Sequence, residues 1–124
     1  MKPNLPVWRS LLYVPANVER FVEKAHTRGA DCIQLDLEDS VPASEKGAAR
    51  QMVPAAAKRV RRAGADVVVR INSPMEITVQ DLDASVGADV DGIAVTKVES
   101  ADHVKRIDDH ISRLESTRER SAGH

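Results

Sequence analysis

The stretch CIQLDLEDSVPASEK, residues 32–46, carries the acids Asp36, Glu38, Asp39 and Glu45 at or just beyond the end of an apolar run. Two further apolar runs end in polar groups that such acids can face: Arg70 and Asn72 in VVVRIN, Lys97 and Glu99 in IAVTKVES. An arginine among carboxylates suits a small anionic substrate, because the guanidinium fork grips a carboxylate through two parallel hydrogen bonds. The same residues also suit a network of strand-end salt bridges that neutralise one another. The pattern alone leaves both readings open.

Either use requires that these side chains reach one place, and four short apolar segments provide the means. Ser10–Val14, Cys32–Leu37, Val67–Ile71 and Ile93–Val98 read as strands, each followed by a helical stretch or a loop leading to one. Their spacing of roughly 20 to 35 residues suits strand, crossover helix and parallel strand. Alternate strand residues point to opposite faces, so Gln34, Asp36 and Glu38 oppose Ile33, Leu35 and Leu37. A wholly buried parallel strand would not alternate in this way. In the third segment Val68, Arg70 and Asn72 oppose Val67, Val69 and Ile71; in the fourth, Lys97 and Glu99 continue the face of Ile93 and Val95. The polar residues thus collect at the C-terminal strand ends, where α/β proteins bind their ligands.

The intervening segments predict helices. Asn17 is the expected N-cap of the first, with Val18, Phe21, Val22 and Ala25 as its apolar face and Gly29 after its end. The second runs from about Ser44 to Ala63 and stops at Gly64; Pro54 predicts a kink or break within it. Asp81–Val86 predicts at most a short helical piece. The last begins near Ser100 and aligns Val104, Ile107, Ile111 and Leu114, after which ESTRERSAGH loses apolar periodicity and is expected to fray.

Composition excludes several classes. The chain has 124 residues, 42% hydrophobic and 30% charged, as in one globular domain. Eighteen basic against nineteen acidic residues leave a net charge of -1, giving no general attraction for nucleic acid or an anionic membrane. No window approaches the roughly 18 apolar residues of a membrane span. The one cysteine, Cys32, fits a reducing compartment and a packing role, so a cytoplasmic location is expected. Glycine-rich phosphate loops and zinc-ligand spacings are lacking. His26, His103, His110 and His124 fall in helical stretches or the tail, where they are expected to face solvent. The run KRVRR, residues 58–62, reads as the solvated end of a helix.

The motifs RSLLYVPA, DCIQLDLEDSVPASEKGAAR, VVVRIN and GIAVTKVESADHV, in that order, resemble the first half of the citrate lyase beta-subunit family within the HpcH/HpaI aldolase group. The resemblance covers about residues 8–115. It implies a TIM barrel that depends on Mg2+ and makes or breaks a carbon–carbon bond in a 3-hydroxyacyl-CoA, yielding an acyl-CoA and a 2-oxo acid. On the same grounds Arg70 would hold the oxo-acid carboxylate, Tyr13 and Lys24 would contact the CoA substrate, and Glu38 and Asp39 would line the metal site and order its surroundings. Asp36, Asn72, Lys97 and Glu99 would support them.

A whole barrel takes about 250 residues, so the expectation for 1–124 is one partial barrel domain truncated after its fourth βα unit, with 116–124 as a frayed tail. The family's direct metal ligands and a later catalytic acid would then lie beyond residue 124. Half a barrel leaves open strand edges. The chain is therefore expected to be inactive alone, serving either as the substrate-anchoring part of a lyase or as a noncatalytic fragment or interaction module. A second copy or a partner chain that completes the barrel would close the edges.

Overall fold

The structure, a computed structural model, describes residues 5–87 and 89–118. Four strands, β1 (Leu11–Pro15), β2 (Cys32–Asp36), β3 (Asp66–Arg70) and β4 (Gly92–Ala94), form one parallel sheet in the order β1-β2-β3-β4. Helices α1 (Glu19–Ala25), α2 (Lys46–Val60), α3 (Met75–Ser85) and α4 (Ala101–Thr117) follow them in turn. The expected βα repeat is present, although β4 ends at Ala94, well short of Val98. Among the described residues β1 and β4 each pair on one side only.

One face of the sheet carries the core. Val14, Ile33, Leu35, Val67 and Val69 pack with Val22 of α1, Val53 and Val60 of α2, Leu82 of α3 and Ile107 of α4 in a single buried cluster. Burial of such side chains contributes about 1.5–3 kcal/mol each. The opposite face holds Tyr13, Gln34, Asp36, Val68 and Arg70 in register. Here the expectation of alternating exposure fails, because all five residues of β2 are buried. The cause lies in the neighbouring strands: Arg70 of β3 reaches across β2 until its guanidinium lies 5.1 Å from the centroid of the Tyr13 ring of β1. This bridge covers the polar half of β2.

Several local expectations are corrected. Asn17 does not cap α1; Val18 occupies that position without a side-chain cap, and Asn17 donates to Glu45 Oε1 at 3.2 Å instead. Helix α1 ends at Ala25, and Gly29 takes its positive φ beyond an intervening turn. Helix α2, preceded by a 3-10 turn at Ala43–Glu45, passes through Pro54 without a break. Pro54 faces solvent, so water can satisfy the carbonyl that loses its partner. A second 3-10 turn, Arg61–Ala63, leads to Gly64 at φ +95°, the left-handed stop expected there.

Helix α3 is eleven residues long rather than a fragment. Its first turn is anchored by Thr78, whose hydroxyl donates to the carbonyl of Asn72 at 2.6 Å. The tail also departs from expectation, since α4 runs to Thr117. Arg118 then donates to the carbonyls of Val86 and Asp83 at the end of α3, which holds the helix end in place. Residues 119–124 of the expected tail, including His124, lie outside those described. His26, His103 and His110 are half-buried rather than solvent-facing. The basic stretch is paired: Arg59 with Glu19, Arg61 with Asp89 and Asp91. Cys32 is fully buried, as a packing residue should be. No helix among the described residues is long and apolar enough to cross a membrane.

Candidate functional site

The C-terminal ends of β2 and β3 bring Asp36 and Arg70 together because the register places them side by side. Arg70 donates through Nε to Asp36 Oδ1 at 2.8 Å and through Nη2 to Oδ2 at 2.7 Å, a two-pronged pair along one edge of the guanidinium. The other edge, Nη1 with the second proton of Nη2, makes no hydrogen bond among the described residues; Glu38 Oε1 forms a looser ion pair with Nη1 at 3.8 Å. The arginine is thus oriented by one acid while keeping a second binding edge. Its side chain is 18% exposed, enough for a small ligand to reach.

Asp36 is enclosed. Besides Arg70 it accepts from the backbone N–H of Glu38 at 2.9 Å and from the N–H and hydroxyl of Ser40 at 2.9 and 2.5 Å. Burial pulls the carboxyl upward, but these hydrogen bonds outweigh it and hold the group well below the usual carboxylate range. The bond to Asp36 in turn raises the Arg70 guanidinium above its ordinary value, against the opposing effect of burial. Arg70 is therefore permanently charged.

Lys97 joins this group from an unexpected direction. It lies beyond β4 with φ +49°, a conformation that a lysine rarely adopts, and this turn takes it off the face of Ile93 and Val95. Its ammonium bonds Glu38 and stands 3.5 Å from Asp39. Hydrogen bonding to Glu38, with the charge of Asp39, raises Lys97; hydrogen bonding to Glu38 and the charge of Lys97 lower Asp39. Glu38, Asp39, Asn72 and Lys97 line one cleft of about 480 Å3. Glu99 does not converge with them. The short β4 leaves it in the loop before α4, where its N–H meets His103 Nδ1 in a separate cleft beside Arg106.

Tyr13 connects two regions. One side of its ring faces Arg70, and it also lines an apolar cleft of about 360 Å3 with Phe21, Lys24 and Arg28. Lys24 and Arg28 make no ion pair with a described carboxylate, which leaves two cations at the rim of an apolar floor.

Magnesium, expected from the resemblance, would need carboxylates free to ligate it. Asp36 is saturated by Arg70, Ser40 and Glu38, and Glu38 is bonded to Lys97. Among the described residues no three His, Cys, Asp or Glu side chains converge as metal ligands. The described side chains do not by themselves fit the ion.

Four residues of the site escape strand parity. Ser40, Lys46, Arg50 and Asp81 all belong to the hydrogen bonds that hold the strand ends. For Lys46 and Arg50 the signal was present in the EK…AR spacing, four residues apart and hence on one side of a helix. Asp81, a wholly buried acidic residue, gave no periodic signal.

The family model HpcH/HpaI aldolase/citrate lyase matches residues 9–123. The chain is 35% identical over 116 residues to citrate lyase subunit beta of Leuconostoc mesenteroides subsp. cremoris, covering 93% of this chain and 38% of that protein. It is 36% identical over 105 residues to a (3S)-malyl-CoA thioesterase of Cereibacter sphaeroides (strain ATCC 17025), covering 84% of this chain and 37% of that one. The chain thus spans less than two fifths of either relative. In fold it matches a Haloferax volcanii malate synthase with a TIM-barrel-like architecture, at TM-score 0.76 and 18% identity, over 92% of this chain and 39% of that one. On the family match and the two relatives, the chain belongs to the HpcH/HpaI aldolase/citrate lyase family.

Proposed function

We propose that this chain provides the substrate-anchoring part of an acyl-CoA lyase that cleaves a 3-hydroxyacyl-CoA into an acyl-CoA and a 2-oxo acid. The observation that carries the proposal is the edge of Arg70 turned away from Asp36, which no described residue hydrogen-bonds and which Glu38 meets only in a loose ion pair at 3.8 Å. Asp36 fixes the guanidinium from one side, and the free edge offers a 2-oxo acid carboxylate two parallel hydrogen bonds. Asp36, Glu38 and Asp39 offset Arg70, Lys97 and Lys46 in formal charge, so the mouth does not repel a small acid. The cleft of Tyr13, Phe21, Lys24 and Arg28 suits the other part of the substrate, since an apolar floor with two rim cations fits a CoA ester and its phosphates. The citrate lyase and malyl-CoA thioesterase relatives are consistent with CoA-ester and oxo-acid substrate types. Family members are generally divalent-metal dependent, and a magnesium requirement belongs to this proposal.

The test is calorimetric titration of the full chain with pyruvate, beside an assay of acyl-CoA cleavage with added Mg2+. Arg70→Ala is expected to weaken pyruvate binding about 10- to 100-fold, the loss of a charge-assisted pair of hydrogen bonds. A variant that binds as tightly as the parent refutes the role of Arg70.

A second reading, a noncatalytic interaction module, draws on the one-sided pairing of β1 and β4 and on the exposed Leu11 and Tyr13 of the face away from the core. Light scattering of the purified chain separates the forms. A defined dimer supports closure of the edges by a second copy, whereas a monomer that stays soluble at high concentration refutes it.

A further inference from the structure

Two cations of the EK…AR motif are assigned no contact with substrate, yet both reach the strand ends. Lys46 and Arg50 lie one turn apart on α2. The Lys46 ammonium donates to the carbonyls of Leu37 at 3.0 Å and Glu38 at 2.7 Å. Arg50 donates through Nε to Asp81 Oδ1 at 2.8 Å, and Asp81, on α3, is fully buried.

The second oxygen of Asp81 accepts from both the backbone N–H and the side-chain amide of Asn72, each at 2.8 Å. That amide also donates to the Leu37 carbonyl at 2.9 Å, the oxygen already held by Lys46. The contacts close a ring: α2, the end of β2, the residues after β3, α3, and α2 again. The N–H, the side-chain NH2 and the carbonyl of Asn72 are all used, the last accepting from Thr78.

What the ring grips is the turn that encloses Asp36. The N–H groups of Glu38 and Ser40 are hydrogen-bonded to the Asp36 carboxylate, and the carbonyls of Leu37 and Glu38 belong to that same turn. We infer that Lys46 and Arg50 are positioning residues: they lock the turn at residues 37–40 against β3, and through Asp36 they set the direction in which Arg70 presents its free edge. The functional weight of this device rests on the proposed role of Arg70 as carboxylate anchor. The mechanical coupling does not.

The test therefore reads Arg70 without any ligand. In the 15N-labelled full chain, exchange of the Arg70 Nε–H with water is measured beside exchange of the core amides of Ile33 and Leu35 in the central strand β2, which report opening of the whole fold. Lys46→Met keeps the aliphatic stem of a half-exposed residue and removes the ammonium, so it is expected to fold. Arg70 Nε–H exchange should rise about tenfold in this variant while the core amides change less than about twofold, and Lys46→Arg should restore protection. Asp81→Asn should give the same selective loss if it folds.

Exchange of Arg70 that is unchanged in Lys46→Met, or that rises only in step with Ile33 and Leu35, overturns the inference. So does an Arg70 Nε–H that exchanges at the free-arginine rate in the parent. If the parent shows the expected exchange pattern but pyruvate binding is indifferent to Arg70→Ala, the clamp stands and only the anchoring role fails.

Discussion

Asp36→Asn probes the strand-end pairing most directly. The two carboxylate oxygens accept five hydrogen bonds, two from Arg70, two from Ser40 and one from Glu38. An asparagine keeps one acceptor and puts an NH2 in place of the other. Whichever way the amide is turned, one of the two Arg70 donors meets another donor. Removing one partner of a buried ion pair costs about 3–5 kcal/mol. Because Arg70 is 18% exposed, water can rehydrate part of the guanidinium, which places the loss near the lower end, about 3 kcal/mol. An ordinary domain has about 5–15 kcal/mol of stability in all, so the variant should lose a large fraction of it.

Urea unfolding followed by circular dichroism measures this, with the slope expected to be unchanged. A thermal melt should shift down by about 10 °C for a chain of this size. The pH dependence supplies a second reading. Since the fold depresses the Asp36 carboxyl, its contribution is complete above the unfolded pKa of about 4 and is lost as pH falls toward the folded value. The parent should therefore lose stability below about pH 4 more steeply than Asp36→Asn, and the gap between them should narrow. A loss below about 1 kcal/mol at neutral pH would mean that the pair behaves like a solvated surface bridge, and the account of an oriented arginine would fail.

The same substitution should act in opposite senses at two glycines. Gly64 has φ +95° with open space around it, so Gly64→Ala should destabilise by about 1–2 kcal/mol through backbone strain alone; Gly47, in the first turn of α2 and equally uncrowded, should gain about 0.5 kcal/mol in Gly47→Ala. Chemical denaturation decides both, and losses of equal size at the two sites would refute the conformational argument. At the opposite end of the strands, the Asp31 carboxyl is lowered to about 2, chiefly by hydrogen bonds from the Arg9 side chain and backbone. Its contribution to stability is present above about pH 4 and disappears as pH falls through about 2. In Arg9→Gln, carbon-detected NMR titration should find Asp31 moved back toward the ordinary carboxylate range.

The strands were legible because runs such as CIQLD and VVVR are apolar, short and bounded by polar residues or helix stops. Helix α4 was legible from Val104, Ile107, Ile111 and Leu114. Helix α3 was not, because Ile77, Thr78 and Val79 are β-branched and weaken the local helical signal. Its order comes from tertiary contacts: the Thr78 hydroxyl on the preceding turn, and Asp81 between Arg50 and Asn72. At the strand ends, parity exposed Asp36, Glu38 and Arg70 as one group. It misplaced Lys97 and Glu99, since the short β4 and the positive φ of Lys97 break the alternation on which parity depends. Lys46 and Asp81 act across separations of 9 and 31 residues to Leu37 and Arg50, and no local period reports such contacts.

The strands lie side by side in the order in which the chain supplies them. Consequently no strand has to be threaded between two that have already paired, and each new pairing closes a loop of only one βα unit. The entropy of closure grows slowly with loop length, so assembly can proceed as a succession of similar, modest steps. The steps are not equal in strength. Strands β2 and β3 share a five-residue register and the Asp36–Arg70 pair, whereas β3 and β4 share three residues. Growth of the sheet from its β2–β3 centre, with β4 the last to join and the first to leave, is the order that follows from this inequality.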